Sequence, residues 1–310
     1  MWWYILAIVI LLIALVLIGG SYYAYRQAFF NPIKNRDIYY PLSQDPLLKQ
    51  QYDDFVPVIE TNAKLPYERV FVTSDDGLRL SARLYINDES KPIHVLCHGY
   101  KGSGLRDMSG GLRMALDLGH NALLIDQRAH GLSEGKTISF GILERYDVLS
   151  WVEYLERRYP TMPVALCGVS MGGATVLMCG DLPLPPTVKC IMADCPYSSV
   201  DSILKSECAS RKLNPTLVYP LLKIGARLYG RFGIESASPL KSAPLTHLPT
   251  VIVHGEDDEL VPVDMSKKIA QLSDNITLHT FARAGHGTSY IVDTPRYEQI
   301  YRDFVAKYLH

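Results

Sequence analysis

Residues 163–180 read PVALCGVSMGGATVLMCG. The apolar run "PVALCG" has the character of a strand that ends at a turn, and "GGATVLMCG" opens a helix, so Ser170 stands at a strand-to-helix turn. Gly168 lies two positions before it and Gly172 two after. In such an elbow the serine backbone is strained, and a side chain at either flanking position would collide with neighbouring backbone, which glycine avoids. The turn also aims the N-terminus of the new helix, with its free N–H groups and positive dipole end, at charge developing near the serine oxygen. A small-residue turn without chemistry gives the same G-x-S-x-G pattern, so the surrounding sequence has to decide.

Outward from this turn the segments alternate. "RVFVTS" and "LRLSARLY" flank Asp75-Asp76-Gly77, a hairpin signal whose glycine tolerates positive φ. Short apolar runs follow: "IHVLC", "NALLID", "PVALCG", "KCIMAD", "TVIVHG" and "ITLHTF". Runs without polar alternation imply strands covered on both faces, and their alternation with helical spacing implies a mostly parallel α/β sheet. In "FGILERYDVLSWVEYLERRYP", Ile142, Tyr146, Leu149, Val152 and Leu155 recur at helical spacing before Pro160, which predicts a helix between the fourth and fifth strands.

A serine hydroxyl is a poor nucleophile until a base takes its proton, and the base needs an acid to orient it. Candidates lie later in the chain, in "VIVHGEDDELVP" after the seventh strand and "FARAGHG" after the eighth. Together with "HGYKGSG" after the third strand and "DQRAHGLSEG" after the fourth, these motifs resemble the α/β-hydrolase superfamily. The likeness runs from about Arg69 to the C-terminus and is closest to serine hydrolases related to serine aminopeptidase and the prolyl-oligopeptidase catalytic domain.

The resemblance implies an α/β-hydrolase fold: an eight-stranded, mostly parallel sheet flanked by helices, with a small helical cap. It implies nucleophile Ser170, acid Asp258 and base His286, with the backbone N–H groups of Tyr100 and Met171 as the oxyanion hole. Asp257, adjacent to Asp258, and Asp194, after the sixth strand, remain open as the acid. His98 is expected to shape the oxyanion loop, and His254 to end a buried strand. Ala129 in "DQRAHG" departs from the glycine usual in the family, which puts the shape of that loop in question. The implied activity is cleavage of a small-molecule ester, or of an amide such as a peptide; a non-catalytic binding module is the reading from another class.

Composition narrows the partners. The 310 residues carry 31 Lys and Arg against 32 Asp and Glu, without a basic run or a basic–aromatic stripe, which speaks against nucleic acid. The six cysteines form no C-x-x-C pair and read as free thiols, with a bridge from Cys195 to Cys190 or Cys208 left open. His94 and His98 share an apparent strand rather than a helix face, so no metal is expected. The G-x-G in "KGSGLRD" is not a dinucleotide fingerprint, and no cofactor is expected. Asp126 and Arg128 are expected to form a structural pair.

The chain opens on "MWWYILAIVILLIALVLIGGSYYAY", with no charged side chain before Arg26. A bilayer core takes roughly 20 helical residues to cross, so this segment is expected to be an uncleaved transmembrane anchor over residues 1–25, with aromatic belts at both ends. Arg26, Lys34 and Arg36 after the span favour a cytoplasmic catalytic domain; the sequon at Asn275 points the other way but is common by chance. Residues 26–68 are expected to be a tether and lead-in, and 69–310 the hydrolase domain, with a cap within 196–249. In that cap Lys223, Arg227 and Arg231 are expected to form one basic face, away from Leu221, Ile224, Leu228 and Phe232.

Overall fold

The computed structural model describes residues 2–32 and 46–310. Its elements run α1 (Trp2–Ala28), α2 (Pro46–Ala63), β1 (Glu68–Thr73), β2 (Arg79–Tyr85), β3 (Ile93–Cys97), α3 (Gly104–Asp117), β4 (Asn121–Asp126), α4 (Glu144–Arg158), β5 (Val164–Val169), α5 (Met171–Met178) and β6 (Val188–Asp194). There follow α6 (Val200–Ser210), α7 (Pro215–Leu228), α8 (Pro239–Ser242), β7 (Thr250–Gly255), α9 (Asp264–Ala270), β8 (Ile276–Phe281), α10 (Ser289–Val292) and α11 (Thr294–Tyr308).

The eight strands form one sheet in the order β1-β2-β4-β3-β5-β6-β7-β8. β2 pairs antiparallel with β1 and β4, and every other pairing is parallel. All eight lie where the apolar runs predict them. β3 and β7 are buried at every residue, as strands covered on both faces must be. Alternate residues feed two cores. Val95, Leu166, Ile191 and Ile252 face α4 and its Trp151, while Leu96, Cys167, Met192 and Val253 face α3 and α11.

The α4 helix forms as predicted, but its buried stripe is Val148, Trp151, Val152 and Leu155, with Tyr146 and Leu149 only half-buried. A Trp of this size dictates which face turns inward. The expected Asp126–Arg128 pair does not form. Arg128 instead bonds Asp147 through Nε and Nη2, each at 2.6 Å, and Asp76 through Nη1 at 2.8 Å. Asp126 faces Arg69 at 3.4 Å. Because Asp147 is 2% exposed, Arg128→Ala strands a carboxylate in the core and is expected to cost about 3–5 kcal/mol in chemical denaturation. Ala129 sits at φ 63, the left-handed region where glycine is at ease, so the departure noted in the sequence is accommodated as backbone strain.

α1 is long and apolar enough to cross a membrane, as an anchor or a signal sequence would be. Its C-terminal end docks on the domain. Ala24, Tyr25 and Phe29 are buried in a third core with Phe140, Met171, Tyr197 and Phe232. The backbone continues this docking: Ile138 N–H donates to Phe29 O at 2.7 Å and Asn31 N–H to Lys136 O at 2.9 Å. Of the expected tether, residues 33–45 lie outside the described residues. α2, which carries Pro57 and no clear apolar stripe, packs on α3, and Asn62 Nδ2 donates to Ser109 O at 2.9 Å.

Within 196–249, α7 packs along α1 rather than presenting the expected faces. A Cβ on Gly225 would stand 2.5 Å from Ser21 O, so only glycine lets the two helices approach this closely. The buried face of α7 is Leu222, Gly225 and Ala226, while Leu217 and Leu228 are exposed. The expected basic row also breaks. Lys223 pairs with Glu235 at 2.8 Å, and Arg231 lies beyond the helix end at φ 59. All six cysteines are free and buried.

Candidate active site

The turn between β5 and α5 holds Ser170 at φ 54 and ψ −115. A Cβ on Gly168 would lie 2.3 Å from the Gly172 backbone, and one on Gly172 would lie 2.0 Å from Cys97 O. No side chain fits at either position, so the two glycines are what allows the strained elbow. Ser170 N–H is held by Asp194 O at 2.8 Å, which ties the elbow to the end of β6.

His286 enters from the loop after β8. Its Nε2 lies 2.8 Å from Ser170 Oγ and its Nδ1 2.7 Å from Asp258 Oδ2. Asp258 sits in the loop after β7, where its Oδ1 accepts the N–H groups of Leu260 at 3.0 Å and Val261 at 2.7 Å. Burial alone would raise the Asp258 carboxyl, but hydrogen bonds from His254, His286 and the Val261 N–H hold it down at about 2. It is therefore ionised at neutral pH. An ionised Asp258 is an acceptor only, so His286 Nδ1 carries the proton and Nε2 is the lone pair facing the serine.

The other acid candidates are elsewhere. Asp257 is exposed, with its N–H on Ala284 O at 3.0 Å. Asp194 is bonded by Tyr297 Oη at 2.9 Å rather than by His286. Sequence reading missed a neighbour. His254 Nε2 donates to Val261 O at 2.8 Å and lies 3.3 Å from Asp258 Oδ2, so it braces the Asp258 loop from beneath. Its spacing of four residues before Asp258 is a signal only once the loop's turn is known. Cys195 Sγ lies within 4.8 Å of the donor atoms of Asp258 and His286, but burial pushes its thiol up, so it stays protonated.

The expected oxyanion loop follows β3. Gly99 N–H donates to Asp107 Oδ2 at 3.0 Å, and Gly102 N–H closes a turn onto Gly99 O at 3.1 Å with Lys101 at φ 51. His98 lies under the loop. Its Nε2 accepts from Gln127 N–H at 3.2 Å, which leaves the proton on Nδ1 to bond Gly99 O at 2.8 Å. The Tyr100 ring stacks on Phe140, and its hydroxyl donates to Ala28 O at 2.7 Å, so the end of α1 touches this loop. Met171, fully buried, is the first residue of α5, where helical N–H groups have no intrahelical partner.

Ser170 and His286 open onto a cavity of about 240 Å³. It runs along the α3 face of the sheet, walled by Met108, Met114, Met192, Tyr290 and Ile291, with Phe55 of α2 at its rim. No residue of 196–249 lines it, so the expected cap does not form its wall.

This arrangement matches what comparison finds. Residues 88–231 fit the family model described as serine aminopeptidase, S33. The uncharacterised protein YqkD of Bacillus subtilis (strain 168) is 24% identical over 268 residues, 85% of this chain and 87% of that one. Human ABHD12B is 27% identical over 199 residues, 60% of this chain and about half (51%) of that protein. An esterase of Pyrococcus furiosus shares the fold, with a TM-score of 0.69 and 21% identity over 91% of this chain and 99% of its own. Strand order and elbow are those of the α/β-hydrolase fold, and over residues 88–231 the chain resembles the serine aminopeptidase family.

Proposed function

We propose that this protein is a membrane-anchored serine hydrolase that cleaves carboxylic esters through an acyl-enzyme on Ser170. The observation that carries the reading is the continuous relay from Asp258 through His286 to Ser170 Oγ, with bonds of 2.7 and 2.8 Å. His286 Nε2 takes the serine proton as Oγ attacks the ester carbonyl. The carbonyl oxygen becomes an oxyanion, held by the N–H groups of Met171 and Tyr100. His286 then gives its proton to the leaving alcohol, and the same imidazole activates the water that releases the acid. Asp258 keeps the ring in the working tautomer and balances the imidazolium.

The anchor reading is supported by the shape of α1. The described side chains of residues 2–19 are exposed or nearly so, on a helix of roughly 27 Å against a bilayer core of roughly 30 Å. The following residues are part of the core, so cleavage after the apolar stretch would cut into folded structure. Arg26 at the inner end and six free thiols favour the cytoplasmic side.

Labelling with a fluorophosphonate probe tests the reaction class. The expected result is one adduct on Ser170 in the wild type and none in Ser170→Ala. A folded wild type that takes no label overturns the hydrolase reading in favour of a binding module. A panel of esters and aminoacyl amides measured alongside separates esterase from peptidase activity, with the esters expected to turn over faster.

A further inference from the structure

The cavity beside Ser170 ends in a group that catalysis does not use. Asp194 closes β6 and pairs in register with Val169, next to the nucleophile. Its side chain points to the same face as Met192 and lines the cavity. It is 7% exposed. Oδ2 takes the Tyr297 hydroxyl at 2.9 Å, while Oδ1 has no hydrogen-bond partner among the described residues, with only the weak thiol donor of Cys195 beside the carboxyl. A buried acceptor left open costs free energy of folding unless something fills it. The residue that carries this acceptor lines the substrate cavity.

We propose that Asp194 is a specificity-determining residue that accepts a hydrogen bond from a hydroxyl on the substrate's acyl chain. This rests on the hydrolase reading above and names its substrate class: esters of hydroxylated, otherwise apolar acids. In this reading the acyl chain enters the cavity, and the leaving alcohol departs past His286, which is a quarter exposed. The walls set the rest of the chemistry. Methionine, isoleucine and tyrosine side chains suit an aliphatic chain. An ammonium group would have to shed its water among them, a cost a neutral hydroxyl largely avoids. Burial has already pushed the Asp194 carboxyl up to about 6, a sign of how poorly the site tolerates charge.

The test is a substrate series: p-nitrophenyl hexanoate, the same ester hydroxylated at the alpha, beta or terminal carbon, and the terminal amino analogue. The wild type is expected to favour at least one hydroxylated ester over plain hexanoate by roughly 10- to 100-fold in kcat/KM, the range of a hydrogen bond to a charged acceptor. In Asp194→Ala that ratio falls to about one; Asp194→Asn, which keeps an acceptor in place, retains part of it. The proposal is overturned if the wild type shows no hydroxyl preference, if the preference survives in Asp194→Ala, or if the amino ester is the better substrate. Should Asp194→Ala fail to fold, the wild-type series and Asp194→Asn decide the matter. Failure of the hydrolase reading looks different: Ser170 stays unlabelled, and no ester, plain or hydroxylated, is cleaved.

Discussion

His286→Ala and Ser170→Ala are each expected to lower kcat on a p-nitrophenyl ester by roughly 10⁴- to 10⁶-fold, and the double variant by no more than either alone. The reason is that the serine hydroxyl and the imidazole act as one unit. With Nε2 2.8 Å from Oγ, the ring is the only titratable group bonded to the hydroxyl among the described residues, so removing either end removes the whole proton transfer. What remains is stabilisation by backbone N–H groups, which neither substitution touches. Asp258→Asn is expected to cost about 10⁴-fold, because an amide can turn its NH₂ toward Nδ1 and impose the wrong tautomer. Steady-state kinetics on purified, folded variants check all of this. Additive losses in the double variant, or a single variant keeping a tenth of the wild-type rate, would mean that the serine is activated by something other than His286.

Much of the fold could be read in the sequence because parallel strands covered on both faces leave a plain mark. "IHVLC" and "TVIVHG" have no polar alternation to confuse with a surface strand, and both are wholly buried. The elbow was legible for a related reason, since Gly168 and Gly172 are required by backbone contacts close along the chain or in the adjacent strand. What decides between Asp257 and Asp258 is a loop conformation, in which Oδ1 of Asp258 caps the Leu260 and Val261 N–H groups. No spacing rule shows that. The partner of Arg128 was misassigned because Asp76 and Asp147 lie 52 and 19 residues away, and only the closed sheet brings them to it. α2 was not foreseen, since Pro57 interrupts its pattern and its packing on α3 is what keeps it helical. The cap expected within 196–249 does not wall the cavity. The cavity lies instead on the α3 face, because α7 is taken up by α1.

That last contact yields the second large effect. Deleting residues 2–19 is expected to leave a folded, active domain, whereas deleting 2–31 is expected to abolish cooperative unfolding and activity together. The boundary between the two outcomes is physical. Up to Gly19 the helix touches little of the domain, but Ser21, Ala24, Tyr25 and Phe29 are buried in it. Phe29 is fully buried, edge-on to Phe140 at 5.8 Å and Phe232 at 5.2 Å. Phe29→Ala should therefore cost about 3–5 kcal/mol, seen as a drop in Tm of the order of 10 °C. The same segment reaches the chemistry. Ala28 O accepts the Tyr100 hydroxyl, and Phe140 is stacked on the Tyr100 ring, so the end of α1 helps fix the loop whose backbone N–H is proposed to hold the oxyanion. Loss of one such donor typically lowers the rate 10²- to 10³-fold. Any folded remnant lacking residues 20–31 is accordingly expected to be slow in kcat rather than weak in KM. A soluble, fully active domain beginning after Asn31 would show that α1 is only a leash, and that the oxyanion loop holds its shape without it.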